Sequence, residues 1–186
     1  MPVYYSIFLI FIGWFSDPEP RPKPQGKILW NDSNKVTIEC FQGVADASSF
    51  ARSYSSSGVE MVYSCKNNFF QPYISAYFDC GQAWVKDFRD PNLLALEQLK
   101  FDIAHYHAIK LQKQISGINH PCNMRAKDIE AMLEAINEEC HKMQSQAEQM
   151  SEYGKEVSVL EMWDLKIEIE IETMITQNKL KGFASK

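Results

Sequence analysis

The chain contains no Cys-x-x-Cys pair, no Gly-x-Ser-x-Gly turn and no glycine-rich phosphate loop in its 186 residues. The first absence argues against a structural zinc site, the second against a serine-hydrolase nucleophile, and the third against binding of nucleotide phosphates. No Cys has a motif-placed His, and no internal repeat is visible. Nor is there a basic cluster: 19 Lys and Arg are scattered among 24 Asp and Glu, for a formal net charge of -5. Without a basic face there is no electrostatic footprint for nucleic acid, which is therefore not expected as a partner. What the chain does have is enough apolar material for one ordinary domain with a core, 45% hydrophobic residues including 12% aromatic.

The uncharged run Val3 to Phe15 holds 13 residues, too few to span about 30 Å of hydrocarbon as a helix. It matches the apolar core of a secretory signal. No Lys or Arg precedes it and no small-x-small cleavage pattern follows, so residues 1–16 read as a signal peptide or a retained N-terminal anchor. Membrane contact is expected only through residues 3–15, if uncleaved. Residues 17–26, Asp-Pro-Glu-Pro-Arg-Pro-Lys-Pro-Gln-Gly, place four prolines at alternating positions, the composition of an extended polyproline spacer. Residues 27–186 form the single expected domain, in a periplasmic or extracellular location.

Five cysteines in an exported chain point to disulfides, and the odd number leaves at least one unpaired. Cys65 and Cys80 sit at the ends of two apparent neighbouring strands, and Cys122 and Cys140 flank one helical segment. Those are the expected pairs, although spacing alone does not determine connectivity.

From Lys27 to about Val85 the pattern is of short β-type runs: Ile28 to Trp30, Val36 to Ile38, Val59 to Cys65 and Tyr73 to Cys80. Turn-forming stretches separate them, among them the Ser-rich segment Ser48 to Gly58 and Lys66-Asn67-Asn68. After Asp90-Pro91, an N-cap and first-turn pair, the texture becomes helical. One helix is predicted over Leu93 to Ile115 and ends at Gly117 to Pro121. A second covers about Ala126 to Met150, where Ile129, Met132, Ile136, Cys140, Met143, Ala147 and Met150 recur at spacings of three and four, the seam of a packed helix. A third covers about Glu156 to Lys179. Within it Leu165 to Glu172 alternates with a period of two, a strand signature, but the Glu, Lys, Leu and Met content and the lack of a turn signal after Trp163 favour helix. The fold class is α+β, a small antiparallel sheet followed by three long helices.

Leu96-Glu97-Gln98-Leu99-Lys100 would mean little alone, since a Glu three residues before a Lys is an ordinary helix-surface pair worth a few tenths of a kcal/mol. In its context, Leu94-Ala95-Leu96-Glu97-Gln98-Leu99-Lys100-Phe101-Asp102-Ile103, with Ala108 and Lys110-Leu111 beyond, resembles the segment L-x-H-E-Q-x-H-F-D-I-x-E-x-Y-A-R-K-L. That segment belongs to a bacterial family of exported proteins catalogued as a domain of unknown function and assigned as zinc-dependent peptidases. Thr37-Ile38-Glu39-Cys40-Phe41-Gln42-Gly43 is similar to that family's L-T-W-x-D-F-x-G opening, with Cys40 where Asp is usual. Ala76-Tyr77-Phe78 with Ala83-Trp84-Val85, and Tyr153-Gly154-Lys155-Glu156 with Trp163, extend the likeness over roughly Ile28 to Ile175.

The resemblance implies a zincin-like fold in which two His four apart bind zinc and the Glu between them polarises the metal-bound water. Here Leu96 and Lys100 occupy the two His positions, one without a donor atom and the other cationic. No His lies between Glu156 and Trp163, so the expected third ligand is absent too. The expectation is a catalytically inactive peptidase homologue, with no cofactor and a vestigial Glu97, that binds an unidentified protein or peptide in the old substrate cleft. Lys100 is expected to neutralise Glu97 by a salt bridge. Two alternatives stand beside it. One is a metal-dependent hydrolase with a relocated zinc site built from Asp102, His105, His107, His141 or Glu97. The other is a helical interaction module that offers the Ile129 to Met150 seam to a second chain.

Overall fold

The computed structural model describes residues 26–31 and 33–184, with side chains as far as residue 177. The segments read as signal or anchor and as Pro-rich linker lie outside the described residues, apart from Gly26. Three strands form one antiparallel sheet in the order β1-β3-β2, with β1 at Lys27–Leu29, β2 at Ser53–Lys66 and β3 at Phe69–Val85. Three helices follow: α1 at Pro91–Ser116, α2 at Ala126–Met150 and α3 at Val157–Ala184. Among the described residues no helix is long and apolar enough to cross a membrane.

The β2–β3 hairpin turns on Asn67 and Asn68, whose φ values of 53° and 61° are both left-handed. Two positive-φ residues in a two-residue loop match the twist of paired strands, and Asn tolerates that conformation better than most residues. Lys66 therefore faces Phe69, and the register runs back through Tyr63 opposite Pro72 and Val59 opposite Ala76. Between Tyr54 and Ser56 the ladder is interrupted, because the four residues Cys80 to Ala83 of β3 lie opposite the single residue Ser55 of β2. The segment before β2 fills that irregularity: the Gln42 and Gly43 amides donate to the carbonyls of Cys80 and Ala83. A Cβ on Gly43 would lie 2.8 Å and 2.9 Å from the carbonyl oxygens of Gln82 and Ala83, so only glycine fits.

Asp90 caps α1 by accepting a hydrogen bond from the Asn92 amide, with Pro91 in the first turn, and Arg52 pairs with the Asp90 carboxylate. α1 is the central helix. Leu93, Leu96, Phe101, Ile103 and Leu111 lose essentially all contact with solvent against Phe78 and Ala76 of the sheet and against its two neighbouring helices. In α2, Ile129, Ile136, Cys140 and Ala147 of the expected seam are buried inside the chain, whereas Met150 is exposed. α3 resolves its period-two stretch as a helix: Ile167 faces the core while Leu165 and Ile169 are 56% and 53% exposed.

Three sequence expectations need correction. The Ser-rich stretch read as a turn is in part strand: β2 begins at Ser53, and Ser53 and Gly58 lie opposite Val85 and Tyr77, because pairing with β3 rather than local composition extends the strand. Val36 to Ile38 is not a strand. Val36 packs into the core and its amide donates to the Gln98 side chain at 2.8 Å in place of a ladder carbonyl, after which Ile38–Cys40 forms a single 3₁₀ turn. The cysteine pairing also differs. The disulfides join Cys40 to Cys80 and Cys65 to Cys122, with Cα separations of 4.4 Å and 5.8 Å, and Cys140 is a free thiol. Cys65 lies opposite Phe70, which leaves Cys80 ten residues further along β3, roughly 30 Å away. Cys122 lies in a 3₁₀ turn before α2, and Cys140 is four turns along that helix, about 20 Å from its start. Neither expected pair can meet the 4.4–6.8 Å span that a disulfide allows.

Candidate functional site

α1 carries all of Leu94 to Leu111. Leu96 and Glu97 have no exposed surface and Lys100 retains 7%. The Glu97 carboxylate accepts a hydrogen bond from the Ser53 hydroxyl at 2.7 Å, across from the first residue of β2. The Lys100 ammonium donates to Oε1 at 3.3 Å and lies 3.2 Å from Oε2. Oε2 gains charge from Lys100 but no well-aligned hydrogen bond. Gln144 of α2 closes the other side, donating to the Lys100 carbonyl at 2.8 Å and the Ser57 hydroxyl at 3.0 Å. Burial raises the Glu148 carboxyl above the usual glutamate range, with the Glu97 charge adding to the effect and Lys100 opposing it.

This is a closed polar knot. A buried carboxylate costs several kcal/mol unless it is paired and hydrogen-bonded, and an ammonium three residues along the same helix together with one serine hydroxyl meets that need. No reacting group could reach the carboxylate without opening the β2–α1 contact. Ser53, Ser57 and Gln144 were not singled out from the sequence, where a serine in a Ser-rich stretch and a glutamine on a helix carry no signal of burial.

The remaining candidate ligands diverge. Asp102 faces the β1 side, where it accepts from the Trp30 indole at 2.6 Å and from the Gln98 amide at 3.0 Å on each oxygen. His105 faces the same way and stacks on Trp30, ring centres 3.4 Å apart and planes 4° from parallel. His107, two residues on, is turned towards α2 and buried, with Nδ1 2.9 Å from the Ile103 carbonyl. That contact makes Nδ1 a protonated nitrogen of the ring, and burial lowers its pKa below the ordinary histidine value, with Lys110 and His141 adding to the fall and the Ile103 hydrogen bond and the Glu139 charge opposing it. His141 lies on α2, with Nδ1 3.2 Å from the Gln144 side-chain oxygen. Asp102 and His105 thus share one side of α1, and His107 and His141 the other. Among the described residues no three of the His, Cys, Asp and Glu side chains come together in a way that could hold a metal ion.

A cavity of about 360 Å³ opens on the Asp102 side, between Trp30, Lys35 and the α3 residues Asp164, Ile167 and Glu168. Desolvation there raises the Asp164 carboxyl, Asp102 adds to the rise and Lys35 opposes it. Trp30 and Lys35 were not among the expected site residues; their place depends on β1 and the segment after it.

No protein-family model matches the chain, and neither the curated proteins nor the solved structures contain a match to it.

Proposed function

We propose that this chain is a non-catalytic, exported homologue of a zinc peptidase that acts by binding a protein or peptide partner. The observation that carries the reading is the state of Glu97. The residue at the position of a catalytic general base has no exposed surface and is held by Ser53 and Lys100. A general base must reach the proton it removes, directly or through one water, and a carboxylate in this knot reaches neither. Leu96, at a first-ligand position, is core, and Lys100, at the second, supplies positive charge from the protein itself. Two disulfides fit an oxidising compartment, which supports export.

The test combines metal content with turnover. Elemental analysis of the purified chain is expected to find no stoichiometric zinc, and an unfolded protein substrate is expected to stay intact with or without added zinc. Stoichiometric metal that is lost on substituting His105, His107 or His141, or cleavage abolished by Glu97→Gln, overturns the reading in favour of a metal-dependent hydrolase.

A further inference from the structure

The far end of the β2–β3 hairpin carries an open edge whose geometry and charge complement themselves. In an antiparallel pair, alternate residues of each strand turn their amide and carbonyl towards the partner strand and away from it. Two observations determine which residues of β2 point outward. The amide and carbonyl of Val59 are both taken by the Asn137 side chain of α2, at 2.8 Å and 2.9 Å, so Val59 faces away from β3. Pro72, which has no amide hydrogen, lies opposite Tyr63, a position where none is needed towards β2. The register is unbroken from Ser56 to Lys66, so Met61, Tyr63 and Cys65 also present their amides and carbonyls outward. Among the described residues no hydrogen bond takes them up.

Protein sheets blunt such edges with proline, charge or covering elements. Here Asn137 covers β2 only at Val59, and Pro72 interrupts the outward edge of β3 at the same level of the hairpin. Between the charged ends Glu60 and Lys66, the β2 edge from Met61 to Cys65 carries no proline, no charge and, among the described residues, no hydrogen bond that covers it. Val62 is 69% exposed there, with Tyr73 opposite it at 59%, and the Cys65–Cys122 disulfide anchors the strand to the segment before α2.

The geometry points to a second copy of this chain as the occupant, paired antiparallel along Glu60 to Lys66 about a two-fold axis through Tyr63. Such pairing brings the outward residues together as Tyr63 with Tyr63 and Met61 with Cys65, the hydrogen-bonded positions of a new ladder. On the opposite face the same register sets Glu60 of each copy against Lys66 of the other, an opposite-charge pair formed twice by symmetry. Val62 of each copy becomes the diagonal neighbour of the other. Glu60 already meets Lys27 at 3.4 Å on the exposed face, so its carboxylate would be shared between two ammonium groups. The result is a continuous six-stranded sheet. It uses a surface separate from Glu97 and stands or falls independently of the function proposed above.

Sedimentation and light scattering of the full chain over a concentration series test this. A concentration-dependent dimer is expected. Tyr63→Pro removes an amide hydrogen that points outward and leaves the hairpin ladder intact, so it should weaken the dimer by on the order of tenfold or more with an unchanged circular dichroism spectrum. Glu60→Lys or Lys66→Glu alone should also weaken it, and the two together should restore most of it, because the exchange regenerates both ion pairs between the copies and gives up only the exposed contact of Glu60 with Lys27. The charge-exchange set decides the matter if Tyr63→Pro disturbs folding. A strict monomer at every concentration overturns the proposal. So does a dimer indifferent to all four variants, or one that the double exchange fails to restore.

Discussion

The ammonium nitrogen of Lys100 lies 3.2 Å from Oε2 of Glu97, inside a contact that leaves the carboxylate no exposed surface. Breaking a buried pair by removing one partner strands the other charge, which is far more costly than replacing both. Lys100→Met should therefore destabilise the chain by about 3–5 kcal/mol. Adding Glu97→Gln should recover most of that loss, since a neutral amide still accepts from Ser53. Urea unfolding of the single and double variants measures this, and equal losses would show that the charge pair is not the cause.

The covalent pattern predicts a distinctive chemical signature. Cys140 is fully buried and its thiol is pushed up to about 12 by desolvation, so a thiol reagent should label nothing in the folded, oxidised protein and one cysteine after unfolding. Peptide mapping without reduction should recover Cys40 linked to Cys80 and Cys65 to Cys122. Loops of 40 and 57 residues imply that each bond stabilises the fold by about 4 kcal/mol in the chain-entropy account, measurable with the Cys→Ser pairs.

Asn137 holds the edge of β2 with two hydrogen bonds to Val59, and Gly58 makes that approach possible: a Cβ there would lie 2.7 Å from the Asn137 side-chain oxygen. Asn137→Leu should cost about 1–3 kcal/mol by leaving the amide and carbonyl of the buried Val59 without partners. Gly58→Ala should reproduce part of that loss while Asn137 is present and much less of it in the Asn137→Leu background. A double-mutant cycle by thermal unfolding tests the coupling.

The neutral, buried His107 gives stability a defined pH dependence. Its folded pKa lies below 6.5, so the unfolded chain binds the proton first as pH falls. The sign of linkage is then fixed: stability attributable to this residue is fully present above about pH 6.5 and is lost as pH falls from there towards the folded pKa. Wild-type protein should lose stability over that window relative to His107→Gln, and the two profiles should run parallel above it. Parallel profiles throughout would mean that the ring is not kept neutral.

Much of the architecture was legible in local patterns. Asp90-Pro91 announced the start of α1, Asn67-Asn68 the hairpin turn, and the three-and-four spacing from Ile129 the buried face of α2, because each depends on sterics and periodicity within a few residues. The helical state of α3 was legible despite its alternation, since composition outweighed a pattern that two exposed apolar residues, Leu165 and Ile169, had created. The pairing of Glu97 with Lys100 was also within reach, because a spacing of three on one helix brings such groups together wherever the helix goes.

The rest depended on contacts between distant parts of the chain. Ser53 meets Glu97 across 44 residues, Trp30 meets Asp102 across 72, and Val59 meets Asn137 across 78. The cysteine partners followed the same logic: strand register and the irregularity at Cys80 to Ala83 carried Cys80 to Cys40 and left Cys65 for Cys122. The sequence by itself determined the three helices, their order after the sheet and the residues able to pair along one helix, since those are properties of neighbouring residues, whereas the extent of β2 and the 3₁₀ turn at Ile38–Cys40 depended on distant partners. Only the tertiary structure decided that Glu97 would be sealed, that the candidate histidines would face opposite sides of α1, and that part of the β2 edge would stay open. Those outcomes depend on how sheet and helices pack, and no local pattern records that packing.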